Sequence, residues 1–258
     1  MNGSQLAGAP LEPAEPTGQQ PQMVRVNMPT VRPVVTYTML GLCVLIYLGQ
    51  MASEAVLGQD LLAALGAKVN EWIVQGELWR LFTPMFLHGS LTHIAFNMYA
   101  LYSLGRGLEN GYGHQRFLLL YLVGGVAGNV ASFAFSPQPS LGSSTAIFGL
   151  LAAEAVYFYQ NRELFGGRAS QVLTQIGSIA LINLVIGLSS PNIDNWGHLG
   201  GALGGAAFAW LAGPLLKVEG FYPEFKLVDQ RDLRQAWLAA TGLGFVMALI
   251  VLVLILFR

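Results

Sequence analysis

Of 258 residues, 53% are hydrophobic and 10% charged, with a mean hydropathy of +0.52; a water-soluble domain carries about 25% charged residues, so this composition suits lipid as the solvent. The net charge of −1, with basic residues scattered along the chain, excludes the electrostatic footprint of a nucleic-acid binder. The single cysteine, Cys43, excludes an intrachain disulfide and a cysteine-based metal site, and its apolar surroundings make it a filler.

Residues 1–33 hold Pro10, Pro13, Pro16, Pro21, Pro29 and Pro33 among Gly, Gln and Ala, too few apolar groups to offset the entropy of ordering, and are read as a disordered cytoplasmic tail. Neither an export signal nor an Arg-rich presequence pattern is expected there, which favours a bacterial plasma membrane. Crossing the hydrocarbon takes roughly 20 mostly apolar residues. Candidate runs are Val34 to Met51, Leu91 to Leu104, Phe117 to Phe135, Ser144 to Tyr159, Val172 to Leu188, Trp196 to Leu216 and Ala236 to Phe257. The predicted fold is therefore an all-α polytopic membrane protein: a six-helix core over 34–216, a cytoplasmic linker at 217–235 and an additional C-terminal transmembrane helix at 236–258.

Basic residues gather on the cytoplasmic side during insertion. Arg25, Arg32, Arg106, Arg116, Arg162, Arg168, Lys217, Lys226, Arg231 and Arg234 fall on one side of this arrangement; Lys68, Arg80 and Arg258 fall on the other. The N-terminus is predicted inside and the C-terminus outside. The stretch Ala52 to Phe82, with Trp72 and Trp79, is predicted to lie in the membrane interface, with a short amphipathic helix over Gln59 to Leu65. The spans starting at Leu91 and Ser144 are predicted shorter than the bilayer, leaving room for a water-filled cavity.

His88, His93 and His198 fall at the outer edges of predicted spans, level with Asn97 and Ser144. Ionisable groups in a membrane are costly, so their convergence at one depth points to function, whereas a single histidine reads equally well as a packing residue. His93 and Asn97 share a helix face at i, i+4 and can donate to one oxygen. Ser144 opens the fourth span, where unpaired N–H groups favour developing negative charge, an oxyanion-hole arrangement. Phe148, four residues on, lies beneath the same site; stacking on an imidazole and core filling are both open readings. In the sixth span, glycines at 197/201/205 and 200/204 form two rows that permit close helix contact. The matching row Thr145, Gly149 and Ala153 would bring His198, a base, within reach of the Ser144 hydroxyl.

These residues resemble the rhomboid family from Trp79 to Gly205: Trp79-Arg80 in the first loop, His88, His93 and Asn97 in the His-x4-His-x3-Asn pattern, Gly142 and Ser144 in the Gly-x-Ser element, and His198 with its glycine row. The resemblance implies a rhomboid-like six-helix core and an intramembrane serine endopeptidase working through a Ser144–His198 dyad. It implies oxyanion stabilisation by His93, Asn97 and the Ser144 N–H, with His88, Gly142, Thr145, Phe148, Gly201 and Gly205 supporting. Transmembrane protein substrates would enter laterally near Val172 to Asn195. The family's Gly-x-Ser-Gly reads Gly142-Ser143-Ser144-Thr145 here, so Thr145 is placed to crowd either the oxyanion pocket or the contact with the sixth span.

Ser143 points about 100° away from Ser144 around a helix and is read as a bystander. Glu154 is expected to make a structural hydrogen bond to a neighbouring helix, Asp194 to be a solvated loop carboxylate, and His114 to be a loop residue. No cofactor or metal is expected. The rival readings are a non-catalytic rhomboid-like protein that binds or escorts membrane helices, a transporter motivated by Glu154, and a histidine-ligated metalloenzyme.

Overall fold

The computed structural model describes residues 31–190, 193–221 and 224–257; nearly all of the expected disordered tail lies outside them, as do positions 191–192 of the expected substrate-entry segment. In chain order the helices are α1 (Val34–Leu57), α2 (Leu61–Gly66), α3 (Asn70–Val74), α4 (Leu91–Tyr112), α5 (His114–Phe135), α6 (Ser144–Gln160), α7 (Arg162–Phe165), α8 (Gly167–Leu188), α9 (Asn195–Ala212) and α10 (Leu233–Leu256). The seven longest coincide with the seven predicted apolar runs. Four of these, α1, α5, α8 and α10, are long and apolar enough to cross a membrane on that ground alone. The chain is a multi-pass helical membrane protein.

Helices α5, α6 and α9 form the centre, and main chain touches main chain there. A Cβ on Gly201 would lie 2.0 Å from the Thr145 carbonyl oxygen, and one on Gly205 2.2 Å from that of Gly149. On the other side of α9, a Cβ on Gly200 would meet Ala131 at 2.3 Å and one on Gly204 would meet Ala127 at 2.3 Å. The two glycine rows thus face two different helices, α6 and α5. Around this contact are buried Phe117, Leu120, Tyr121, Leu150 and Phe208.

The connection from α1 to α4 is held by hydrogen bonds within the protein. Asp60 caps α2 by accepting from the Ala63 N–H at 2.9 Å, at the place where the amphipathic helix was predicted. The buried Arg80 guanidinium donates to the carbonyls of Ala67 (2.8 Å) and Ala64 (2.9 Å), pairs with Glu77 at 2.6 Å and lies over the Trp72 ring. Trp79 donates to the Leu65 carbonyl. Buried Lys68 donates to the Ser136 and Gln138 carbonyls, which fastens this loop to the α5–α6 connection.

Three expectations about length and linkers are corrected. Helix α4 is not a short span: it runs 22 residues, to Tyr112. Glu109, too polar to extend an apolar run, accepts from the Val35 and Thr36 N–H groups and the Thr36 hydroxyl at 2.7–2.8 Å. These are otherwise unpaired donors at the α1 N-terminus, where a carboxylate also complements the helix dipole. His114 is not a free loop residue; it opens α5 and pairs with Glu109 at 2.6 Å. The linker after α9 contains an antiparallel hairpin, β1 (Leu216–Phe221) and β2 (Glu224–Asp229), with Gly220 at φ +111°. Helix α9 stops at Ala212 because Gly213 turns extended and Pro214 has no N–H to continue the ladder.

Candidate active site

Ser144 begins α6 and His198 stands one turn into α9, and the glycine contacts below them set the separation of the two helix tops. His198 Nε2 lies 2.9 Å from Ser144 Oγ. Phe148 holds the imidazole by stacking, with centroids 4.2 Å apart and planes 14° from parallel; of its two sequence readings, the stacking one is realised. A serine hydroxyl bonded to an imidazole ring nitrogen, with the ring fixed from behind, is geometry suited to proton removal.

The segment leading into Ser144 is shaped by glycine. Gly142 sits at φ +138°, where side chains are rarely found, and a Cβ there would be 2.7 Å from His93 Nε2 and 3.6 Å from Ser144 Oγ. The His93 ring therefore lies directly on this backbone, beside the nucleophile. Its own position is fixed by Ser90, which caps α4 by accepting from the His93 N–H at 3.1 Å. Asn97, one turn along α4, is buried, and its Nδ2 donor has no hydrogen-bond partner among the described residues. A buried amide donor left unpaired costs free energy unless something accepts from it.

His88 belongs to the supporting layer. Its Nε2 is 3.2 Å from Ser143 Oγ, and its ring meets that of His93 edge-on at 5.2 Å. Ser143 is accordingly more than a bystander: it anchors the segment before Ser144 to His88. Sequence reasoning missed Gln50. This amide on α1 bonds both the N–H (3.0 Å) and the carbonyl (3.1 Å) of His88 and reaches Asp60 at 2.7 Å. The signal was available, since Gln50 is a lone amide in an otherwise apolar run.

Thr145 is buried and faces the contact with the neighbouring helices: its Cβ lies 2.5 Å from where a Gly128 Cβ would be, and its Cγ2 3.2 Å from where a Gly197 Cβ would be. Of the two places named for it in the sequence, it occupies the helix contact, between α5 and α9. Asp194 is not a solvated loop group; it is the α9 N-cap, accepting from the Gly197 N–H at 2.9 Å. Glu154 is half-buried in α6, and no side-chain hydrogen bond is found for it among the described residues, contrary to the expectation of a structural bond. No cluster of three or more metal-ligating side chains occurs among the described residues.

A serine and an imidazole paired at the tops of two closely packed helices, inside a polytopic bundle, define a class of helical membrane proteins with a hydrolase-like site. The chain belongs to the rhomboid family, whose domain matches residues 75–215. It is 42% identical over 214 residues to Rhomboid protease GluP of Bacillus subtilis (strain 168), covering 83% of this chain and 40% of GluP. It is 36% identical over 154 residues to RHOMBOID-like protein 9, chloroplastic, of Arabidopsis thaliana, covering 59% of this chain and 35% of that protein. With Rhomboid-like protease 1 of Toxoplasma gondii it shares 29% over 198 residues, 74% of this chain and 62% of the relative. The chain therefore spans less than two thirds of the length of each of these relatives.

Proposed function

We propose that this chain is an intramembrane serine endopeptidase that hydrolyses peptide bonds in or near transmembrane segments of membrane proteins. The observation that carries the reading is the 2.9 Å contact between His198 Nε2 and Ser144 Oγ under the stacked Phe148 ring. In the proposed cycle His198 Nε2 takes the hydroxyl proton as Ser144 Oγ bonds to the scissile carbonyl carbon. The carbonyl oxygen becomes an oxyanion that accepts from the Ser144 N–H, Asn97 Nδ2 and His93. As the peptide C–N bond breaks, imidazolium returns the proton to the leaving amine. Water, deprotonated by the same imidazole, then attacks the acyl-serine and releases the carboxylate product. A substrate helix has its carbonyls bonded within the helix, so cleavage favours segments that unwind easily near the membrane edge.

The division that follows is a catalytic core over 34–216, a linker at 217–235 and an added span at 236–258. The basic-residue asymmetry supports an orientation with the N-terminus in the cytoplasm and the site toward the opposite face. The non-catalytic alternative rested on Thr145, and the placement of that side chain between α5 and α9 weakens it.

The test is cleavage of a panel of model transmembrane substrates in lipid, with product masses locating the cut. Ser144→Ala and His198→Ala are each expected to lower turnover by at least about 10⁴-fold. A fluorophosphonate should label the wild type and Ser143→Ala but not Ser144→Ala; labelling that ignores Ser144 would overturn the assignment.

A further inference from the structure

The β1–β2 hairpin joins the end of α9 to the start of α10, so both of its ends are tied to one face of the membrane. Its strands alternate. Paired register places Leu216, Val218, Gly220, Phe225, Leu227 and Asp229 on one side and Lys217, Glu219, Phe221, Glu224, Lys226 and Val228 on the other. A two-stranded ribbon has little stability alone, and this one is fastened at its base. Arg116, at the first turn of α5, bonds the Asp229 carboxylate and the Arg231 carbonyl. Asp229 also accepts from the Leu215 N–H at 3.0 Å, and Leu216 packs against the central core.

Those base contacts decide which side of the ribbon faces the bilayer. Asp229 and Leu216 point toward the α5 terminus and the helical core, so the side they share with Val218, Phe225 and Leu227 looks toward the membrane. The charged side looks away from it. Beyond Leu216 no other residue of the apolar side belongs to a buried hydrophobic cluster, and Val218 is 40% exposed. We infer that the hairpin is an amphipathic ribbon lying on the lipid surface, with Val218, Phe225 and Leu227 entering the boundary between headgroups and acyl chains beside α9 and α10. The occupant of the apolar side is the bilayer itself, continuous with the lipid already around those helices. The two lysines and two glutamates of the charged side cancel, so the contact is apolar and needs no anionic lipid. Phe221, 90% exposed, stands on the charged side near the turn and takes no part in it.

The experiment is collisional spin labelling of the full chain in phosphatidylcholine vesicles. Single nitroxides are placed by Val218→Cys, Leu227→Cys, Lys217→Cys and Lys226→Cys in a Cys43→Ala background. Labels at 218 and 227 are expected to favour oxygen, which partitions into lipid, several-fold over a water-soluble nickel chelate, and labels at 217 and 226 to show the reverse. Replacing part of the lipid with phosphatidylglycerol should leave the pattern unchanged. Four labels that all favour nickel would place the ribbon in water and overturn the inference. Labels at 218 and 227 shielded from both quenchers would mean that protein covers the face, and would overturn it equally. Since labelling could disturb the ribbon, Phe225→Trp provides a second reading: tryptophan quenching by headgroup-proximal brominated lipid should rise over that of the parent, and no rise would count against the inference.

Discussion

The inner helices and the outer helices of this bundle are built on opposite rules. In α5, 67% of the spanning window is buried inside the protein, against 17% in α1, 11% in α8 and 6% in α10. The outer helices leave many large apolar side chains exposed, among them Leu45 and Leu48 of α1, Leu181 and Ile182 of α8 and Phe245 and Leu249 of α10, which suits lipid. The inner contact of α5, α6 and α9 is made by glycine and alanine, because lipid offers no hydrophobic drive toward a neighbour and association depends on close fit. The helices that carry the proposed chemistry, α4, α6 and α9, are the ones that hydropathy recognises least readily. Three of the four spans easiest to see in the sequence, α1, α8 and α10, lie outside the central contact, and the fourth, α5, is part of it.

The largest break in this comparison should come from adding a branched side chain to each layer. Gly201→Val must displace the Thr145 main chain, and is expected to abolish cleavage and to destabilise the fold by about 3 kcal/mol or more. The same change at Gly244 in α10, where nothing lies within 4 Å, should leave turnover unchanged and move stability by less than about 0.5 kcal/mol. Thermal unfolding in detergent together with a cleavage assay reads both; equal damage at the two positions would break the distinction between layers.

Within the inner layer the polar groups should separate from the packing ones. Asn97→Ala is expected to lower kcat by about 10²–10³-fold with KM nearly unchanged, as removal of an oxyanion donor does. Phe148→Ala removes the stacked ring; about 0.5–1.5 kcal/mol of ring contact corresponds to a loss of several-fold in kcat/KM, which Phe148→Tyr should largely restore. A Phe148→Ala enzyme with full activity would mean that the imidazole needs no support from behind.

A smaller effect concerns His88, in the loop before α4. Burial first, and then the neighbouring His93, pull its imidazole down from 6.5 to about 4. The folded state thus binds the proton less readily than the unfolded chain. Its contribution is complete above pH 6.5 and is lost as the pH falls toward 4. The apparent Tm should decline across that window, and His88→Gln should make the decline shallower; an unchanged slope would show that His88 is not the group responsible.

Much of the site was legible because its parts are local. The i, i+4 spacing of His93 and Asn97, Ser144 at a helix start and the glycines after His198 each carry their meaning within a turn or two. The apolar runs likewise located all seven long helices. What stayed hidden depends on residues far apart in the chain. Glu109 extends α4 because the α1 N-terminus, more than 70 residues earlier, supplies its donors. Gln50 matters because it meets the His88 backbone, and Arg116 because Asp229 comes back to it. The hairpin shows alternation only once its register is known, and a linker of mixed charge conceals it.

That α9 meets α6 through glycine on one edge and α5 on the other has a mechanical consequence. Side-chain-filled contacts can breathe as rotamers exchange, but at Gly201 and Gly205 peptide lies against peptide with no rotamer to exchange, and the gap there is set by the van der Waals radii of peptide atoms. When bilayer thickness changes, the loosely held outer helices can tilt to absorb the mismatch, while the spacing of the two reacting atoms stays as the peptide groups dictate.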